Sequence, residues 1–125
     1  MVQAMIERGP YVRFAWGLST DSRLNHHPQP PAGIDAQTWQ GRHFDLNAPR
    51  LFLRLERQIL WGFPTANAAL FTIRTYFRDC ATLRSDANLC TKLCAAIESM
   101  NAESLHYKGL FQSKPPILEW LTHSP

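Results

Sequence analysis

Residues 51–77 constrain this chain more than any other stretch, because two alternating runs stand on either side of a turn. In LFLRLERQIL, Leu51, Leu53, Leu55 and Ile59 take odd positions, while Arg54, Glu56 and Gln58 take even ones. A period of two, held over most of the run, places these apolar side chains on one face of a strand. In AALFTIRTYF, residues 68–77, Phe71, Ile73 and Phe77 alternate with Thr72, Arg74 and Tyr76. Gly62, Pro64 and Asn67 supply turn chemistry between the two runs. The pair predicts an antiparallel hairpin that buries its odd-numbered face.

Beyond the hairpin the period changes. Leu89, Leu93, Ile97 and Met100, with Cys90, Cys94 and Ala96, form one apolar stripe of a helix over 86–100. Ser85 is the expected N-cap, and Asp86 puts a negative charge at the positive end of the helix dipole. This helix is the expected packing partner of the hairpin. Upstream, YVRFAWGL at 11–18 is rich in aromatic and β-branched residues and predicts a further strand. Pro28, Pro30, Pro31 and Gly33 break any period across 19–50, leaving a long loop with a short helical turn at 35–39 capped by Asp35. Pro115 or Pro116 opens a short last helix. The expected architecture is a single α+β domain over residues 1–125, an antiparallel sheet with helices.

Composition narrows the function. The chain has 125 residues, 45% of them hydrophobic and 18% charged, which suits a folded domain. Its net charge of +3 is scattered, with no run of basic residues, so no nucleic-acid footprint is expected. No stretch reaches the ~20 apolar residues of a membrane span. Glu7 and Arg8 fall where a signal peptide would be apolar, and a cytoplasmic location is expected. Three cysteines argue against a disulfide framework.

The even-numbered positions carry the chemistry. A hairpin centred near Pro64 would set Glu56 opposite Thr72, Arg54 opposite Arg74 and Phe52 opposite Tyr76. Facing residues share one side of a sheet. The result would be a polar patch of Arg54, Glu56, Gln58, Thr72, Arg74 and Tyr76, with two arginines in conflict unless an anion or Glu56 lies between them. The plainer reading is the wet face of a half-exposed hairpin, which needs no function. Other candidates are bland. Cys90 and Cys94 have a spacing that can bind metal, but they lack partner ligands and suit the core. His26 and His27 are adjacent in a proline-rich loop; either alone could ligate haem iron, and either could be a turn histidine. No nucleotide-binding glycine motif and no Ser-His-Asp signature is present.

Three stretches carry a family resemblance. Leu53-Arg-Leu-Glu-Arg-Gln58, Ala69-Leu-Phe-Thr-Ile-Arg-Thr-Tyr76, and Tyr107-Lys-Gly-Leu110 followed by Leu118-Glu-Trp-Leu121 resemble motifs of the haem-dependent oxidative N-demethylases. Arg13-Phe-Ala-Trp16 is similar to the family's Arg-x-Asn-Trp, with Ala15 in place of Asn. The resemblance implies a PAS-like α+β fold and an α-subunit-like haem oxidoreductase, a monooxygenase of secondary amines such as dimethylamine. It also implies electrons from a flavin or iron–sulfur reductase partner. In that setting Glu56 is the candidate for the cationic amine, and Arg54 and Arg74 are candidates for the haem propionates. The iron ligand is open, with His26 or His27 as the candidates on this chain. The resemblance further implies a longer family domain of which this chain is the C-terminal part. An upstream Ile-His-x-x-Val-Pro stretch, absent here, would then be the source of the axial histidine. The alternative is a non-catalytic PAS-like module that binds a small ligand or a partner protein; an unstable fragment is a third reading.

Overall fold

The structure, a computed structural model, describes residues 2–123. Its elements in chain order are α1 (Val2–Glu7), β1 (Tyr11–Ser19), α2 (Ala36–Gln40), β2 (Phe52–Phe63), β3 (Ala68–Asp79), α3 (Cys80–Leu83), α4 (Ala87–Glu98), α5 (Ala102–Tyr107) and α6 (Lys114–Thr122). The strands form an open antiparallel sheet in the order β1-β2-β3, so the fold is α+β as expected. Two compact units divide the chain. A sheet unit comprises Met1–Trp16 and Arg54–Tyr76, and a helical unit comprises Gly17–Leu53 and Phe77–Pro125.

In the helical unit the amphipathic stripe behaves as its period demands. Cys90, Leu93 and Ile97 of α4 are buried, and α4 packs along α6, which contributes Ile117, Trp120 and Leu121. The Phe44 ring lies 5.5 Å from that of Trp120. The start of α4 corrects the expected cap: Asp86, not Ser85, is the N-cap, its carboxylate accepting from the Leu89 N–H at 3.0 Å. Ser85 instead donates its hydroxyl to the Thr82 carbonyl. A carboxylate does better here, because it adds charge to the capping bond. The Asp35 cap of α2 forms as expected, accepting from the Thr38 N–H at 2.9 Å. Helix α5 ends on Gly109, whose φ of +67 suits the left-handed position after a helix. The Gly109 N–H donates to the His106 carbonyl and the Leu110 N–H to the Leu105 carbonyl, closing that helix end.

The sheet unit has a different character. The hairpin exists, but its turn is longer than a tight loop. Pro64–Ala66 form a single 3-10 turn and Asn67 takes a left-handed φ of 47. Phe63 therefore ends β2 opposite Ala68, where β3 begins. Two further contacts agree with that register. The Thr72 hydroxyl reaches the Ile59 carbonyl, and within the helical unit the Cys80 N–H donates to the Leu51 carbonyl. Glu56 consequently stands opposite Thr75, and Gln58 opposite Ile73. This differs from the expected register by an odd number of residues, and an odd slip moves every side chain of one strand to the other face. Even-numbered residues of β2 thus share a face with odd-numbered residues of β3.

The expected burial of the odd-numbered positions holds at Leu51, is partial at Leu53, Ile59 and Phe77, and is corrected at the others. Leu55 is 40% and Ile73 50% exposed, and Phe71 is also exposed. With opposite parities meeting in the ladder, Leu55 and Ile73 lie on different faces and cannot form one apolar surface. Near the turn, Gly62 admits a close approach of α1, since a Cβ there would overlap the Ile6 carbonyl.

Candidate functional site

The sheltered polar groups of the sheet unit form one row. Arg54, Glu56 and Gln58 project to the same face of β2, being two residues apart in a strand. An Arg54 Nη2 hydrogen donates to Glu56 Oε1 at 2.9 Å. Gln58 Nε2 donates to Glu56 Oε2 at 2.8 Å. Arg13, on β1, donates from Nε to Gln58 Oε1 at 2.5 Å and sets its guanidinium 6.0 Å from the centre of the Phe71 ring. The chain of contacts thus runs Arg13, Gln58, Glu56, Arg54.

Burial within this row is inverted. Gln58 is buried, and the Glu56 side chain is only 19% exposed, while the neighbouring Leu55 is 40% exposed. Water-facing hairpins show the opposite pattern. The row also holds an unfinished group: Arg54 Nε is buried and has no hydrogen-bond partner. Two guanidiniums flank one carboxylate, so the row has a surplus positive charge. Glu56 uses one lone pair on each oxygen, and a carboxylate has about four such sites, so it retains acceptor capacity.

The other expected site residues are placed elsewhere. Arg74 and Tyr76 belong to the even-numbered face of β3, opposite to Glu56, and the Arg74 guanidinium lies 5.5 Å from the Tyr76 ring centre. The patch that was to set Arg54 across from Arg74 therefore does not form; the four-residue connection at 64–67 shifts the register. Thr72 goes with Arg74 for the same reason. His26 and His27 are exposed in the loop before α2. The His27 Nδ1 lies 3.2 Å from the Gln29 backbone nitrogen and 3.4 Å from the Gln29 carbonyl oxygen, so the ring is engaged locally within its own loop.

Sequence reasoning included Gln58 in the patch but did not see Arg13 as its partner. The signal was the Arg13-Phe-Ala-Trp16 stretch itself, since β1 lies beside β2 in the sheet. The cysteines are all free. Burial pushes the Cys80 thiol up to about 12 and the Cys94 thiol up to about 11, so neither is a nucleophile near neutral pH. Among the described residues no cluster of three His, Cys, Asp or Glu side chains could hold a metal ion, and no helix is long and apolar enough to cross a membrane.

Comparison with known families agrees with the motifs on these strands. The family model described as haem-dependent oxidative N-demethylase, alpha subunit-like, matches residues 1–118, which includes the whole of the Arg13–Gln58–Glu56–Arg54 row. The chain belongs to the haem-dependent oxidative N-demethylase alpha subunit-like family.

Proposed function

We propose that the row on β2 is the amine-recognition wall of a haem-dependent oxidative N-demethylase, with Glu56 holding a secondary ammonium such as dimethylammonium. The observation that carries this reading is the inverted burial. Sheltering a charged side chain while exposing a leucine costs free energy, and such local conflicts concentrate where a protein binds something. Glu56 would accept the ammonium N–H groups on its free lone pairs, in charge-assisted hydrogen bonds. Gln58 and Arg54 hold the carboxylate from its two ends, so its orientation is fixed before the amine arrives.

The fit to haem divides in two. A haem propionate matches Arg54, whose buried Nε lacks a partner in a row that holds two arginines and one carboxylate. Arg74, on the other face, would need a separate propionate contact. An iron ligand is another matter: the sheet unit contains no histidine and no cysteine. The axial ligand would have to come from outside that unit. When bound, haem supplies the activation of O₂ and the oxidation of the N-methyl carbon. The electrons would come from a flavin or iron–sulfur reductase partner.

The missing ligand within the sheet unit is the one observation that favours a second reading, a PAS-like module that binds a small amine without catalysis. Calorimetric titration of the protein with dimethylammonium, with and without added hemin, separates the two. Glu56→Gln is expected to weaken the amine by about 10–100-fold, the range of a hydrogen bond to a charged group. Unchanged affinity in that variant would overturn the role of Glu56. A Soret band that moves on amine addition supports the demethylase; amine binding with no Soret band supports the module.

A further inference from the structure

The helical unit holds a polar cavity whose lining shares no residue with the amine row. It is about 230 Å³ in volume, below the range of about 300–1,000 Å³ that takes drug-sized ligands, so its occupant is small. Arg42, His43 and His106 line it together with Gln40, Phe111 and Gln112, and none of its lining residues is a carboxylate. Arg42 is a permanent cation whose planar fork matches a carboxylate or phosphate group.

The cationic wall is held in place before any ligand arrives. The Gly41 carbonyl accepts the Thr20 N–H at 2.7 Å. The buried Ser113 hydroxyl donates to the Arg42 carbonyl at 3.0 Å and accepts the Phe44 N–H at 3.3 Å. The backbone on both sides of Arg42 is thus pinned. Its side chain crosses Gly109, where a Cβ would run into the Arg42 Cδ and sit 2.9 Å from Nη1. Gly109 belongs to the Tyr107-Lys-Gly-Leu110 stretch, so that motif makes the space in which the arginine lies. Next to it the His106 and Phe111 rings stack at 4.0 Å with an interplanar angle of 14°, giving a flat surface at the cavity edge.

We propose that this cavity binds a small organic anion, its carboxylate or phosphate group on Arg42 and its flat apolar body against the His106–Phe111 stack. The site is independent of the amine reading and survives its failure. Titration of isotope-labelled protein by NMR, with benzoate, phenyl phosphate, inorganic phosphate and neutral benzamide as probes, tests it. Benzoate or phenyl phosphate is expected to shift the amides of residues 109–113 saturably, while benzamide leaves them unchanged. Whichever of the two anions binds more tightly identifies the head group. Arg42→Gln is expected to weaken binding at least about 10-fold, as loss of a charged hydrogen-bond partner does, and Arg42→Lys to retain part of it. Phe111→Ala, at a half-exposed ring, is expected to weaken benzoate while leaving inorganic phosphate unaffected. Equal shifts with benzamide, responses mapping away from residues 109–113, or full affinity in a folded Arg42→Gln would each overturn the proposal.

Discussion

The two units obey the same physics to opposite effect. Among the described residues, every buried apolar side chain except Ile6 belongs to the helical unit. There the apolar stripes of α4 and α6 meet, and the buried Ser113 hydroxyl bonds to the Arg42 carbonyl and the Phe44 N–H. The sheet unit exposes Phe14, Leu55, Trp61, Leu70, Phe71 and Ile73, and shelters Gln58 and Glu56. A hydrophobic pattern that is satisfied explains stability. One that is inverted asks what the polar row is for.

The contrast can be broken most forcefully by truncation in each unit. Ile97→Ala, at a fully buried position of α4, is expected to lose about 2–5 kcal/mol through lost burial and an unfilled cavity. Leu55→Ala, on an exposed strand face, is expected to lose less than about 1 kcal/mol. Urea unfolding of both variants measures the difference; equal losses would mean that the sheet unit has a core of its own.

A smaller effect is expected inside the polar row. Gln58→Leu matches the bulk of the buried side chain but leaves Arg13 Nε and Glu56 Oε2 without their partner. The expected cost is about 1–3 kcal/mol, the penalty for stranding sheltered polar groups. If leucine at this position stabilised the protein, the contacts of Gln58 with Arg13 and Glu56 would carry no net stability.

Next comes Gly109→Ala in the helical unit. A left-handed φ costs a residue with a Cβ about 1–2 kcal/mol, and the new Cβ would also displace Arg42. Thermal unfolding measures the first part and the loss of anion binding the second.

The smallest effect concerns pH. The Thr38 N–H beside Asp35 holds its carboxyl below the usual carboxylate range. A depressed folded pKa means that the cap stabilises α2 above the unfolded value of about 3.9 and that this contribution fades as pH falls through the folded value. Acid titration followed by NMR is expected to show α2 fraying in that window, and Asp35→Asn should remove the dependence.

Much of this was legible in the sequence. Strand β1, both arms of the hairpin, α4, α6 and the Asp35 cap follow from period, β-branching, proline and capping residues. The register was not legible, because Pro64 and Asn67 announce a turn without fixing its length. The left-handed Asn67 adds a residue that a tighter loop lacks, and with that residue Arg74 moves to the face opposite Glu56. The parity of the loop, invisible in the pattern, decided which charged groups meet. Helix α5 was missed because its six residues carry too little periodicity, although Gly109 stands where a helix end would place it. The cap of α4 was missed by one residue, since Ser85 and Asp86 are both good caps and only the geometry chooses between them.

Carbodiimide activation of carboxylates, read by mass spectrometry as loss of the unmodified side chain whichever amine traps the activated ester, tests the central claim that Glu56 is sheltered for a purpose. Glu56 is expected to label much more slowly than the exposed Glu98, and dimethylammonium to slow Glu56 further without affecting Glu98. Equal labelling of the two carboxylates, with no response to the amine, would contradict the account.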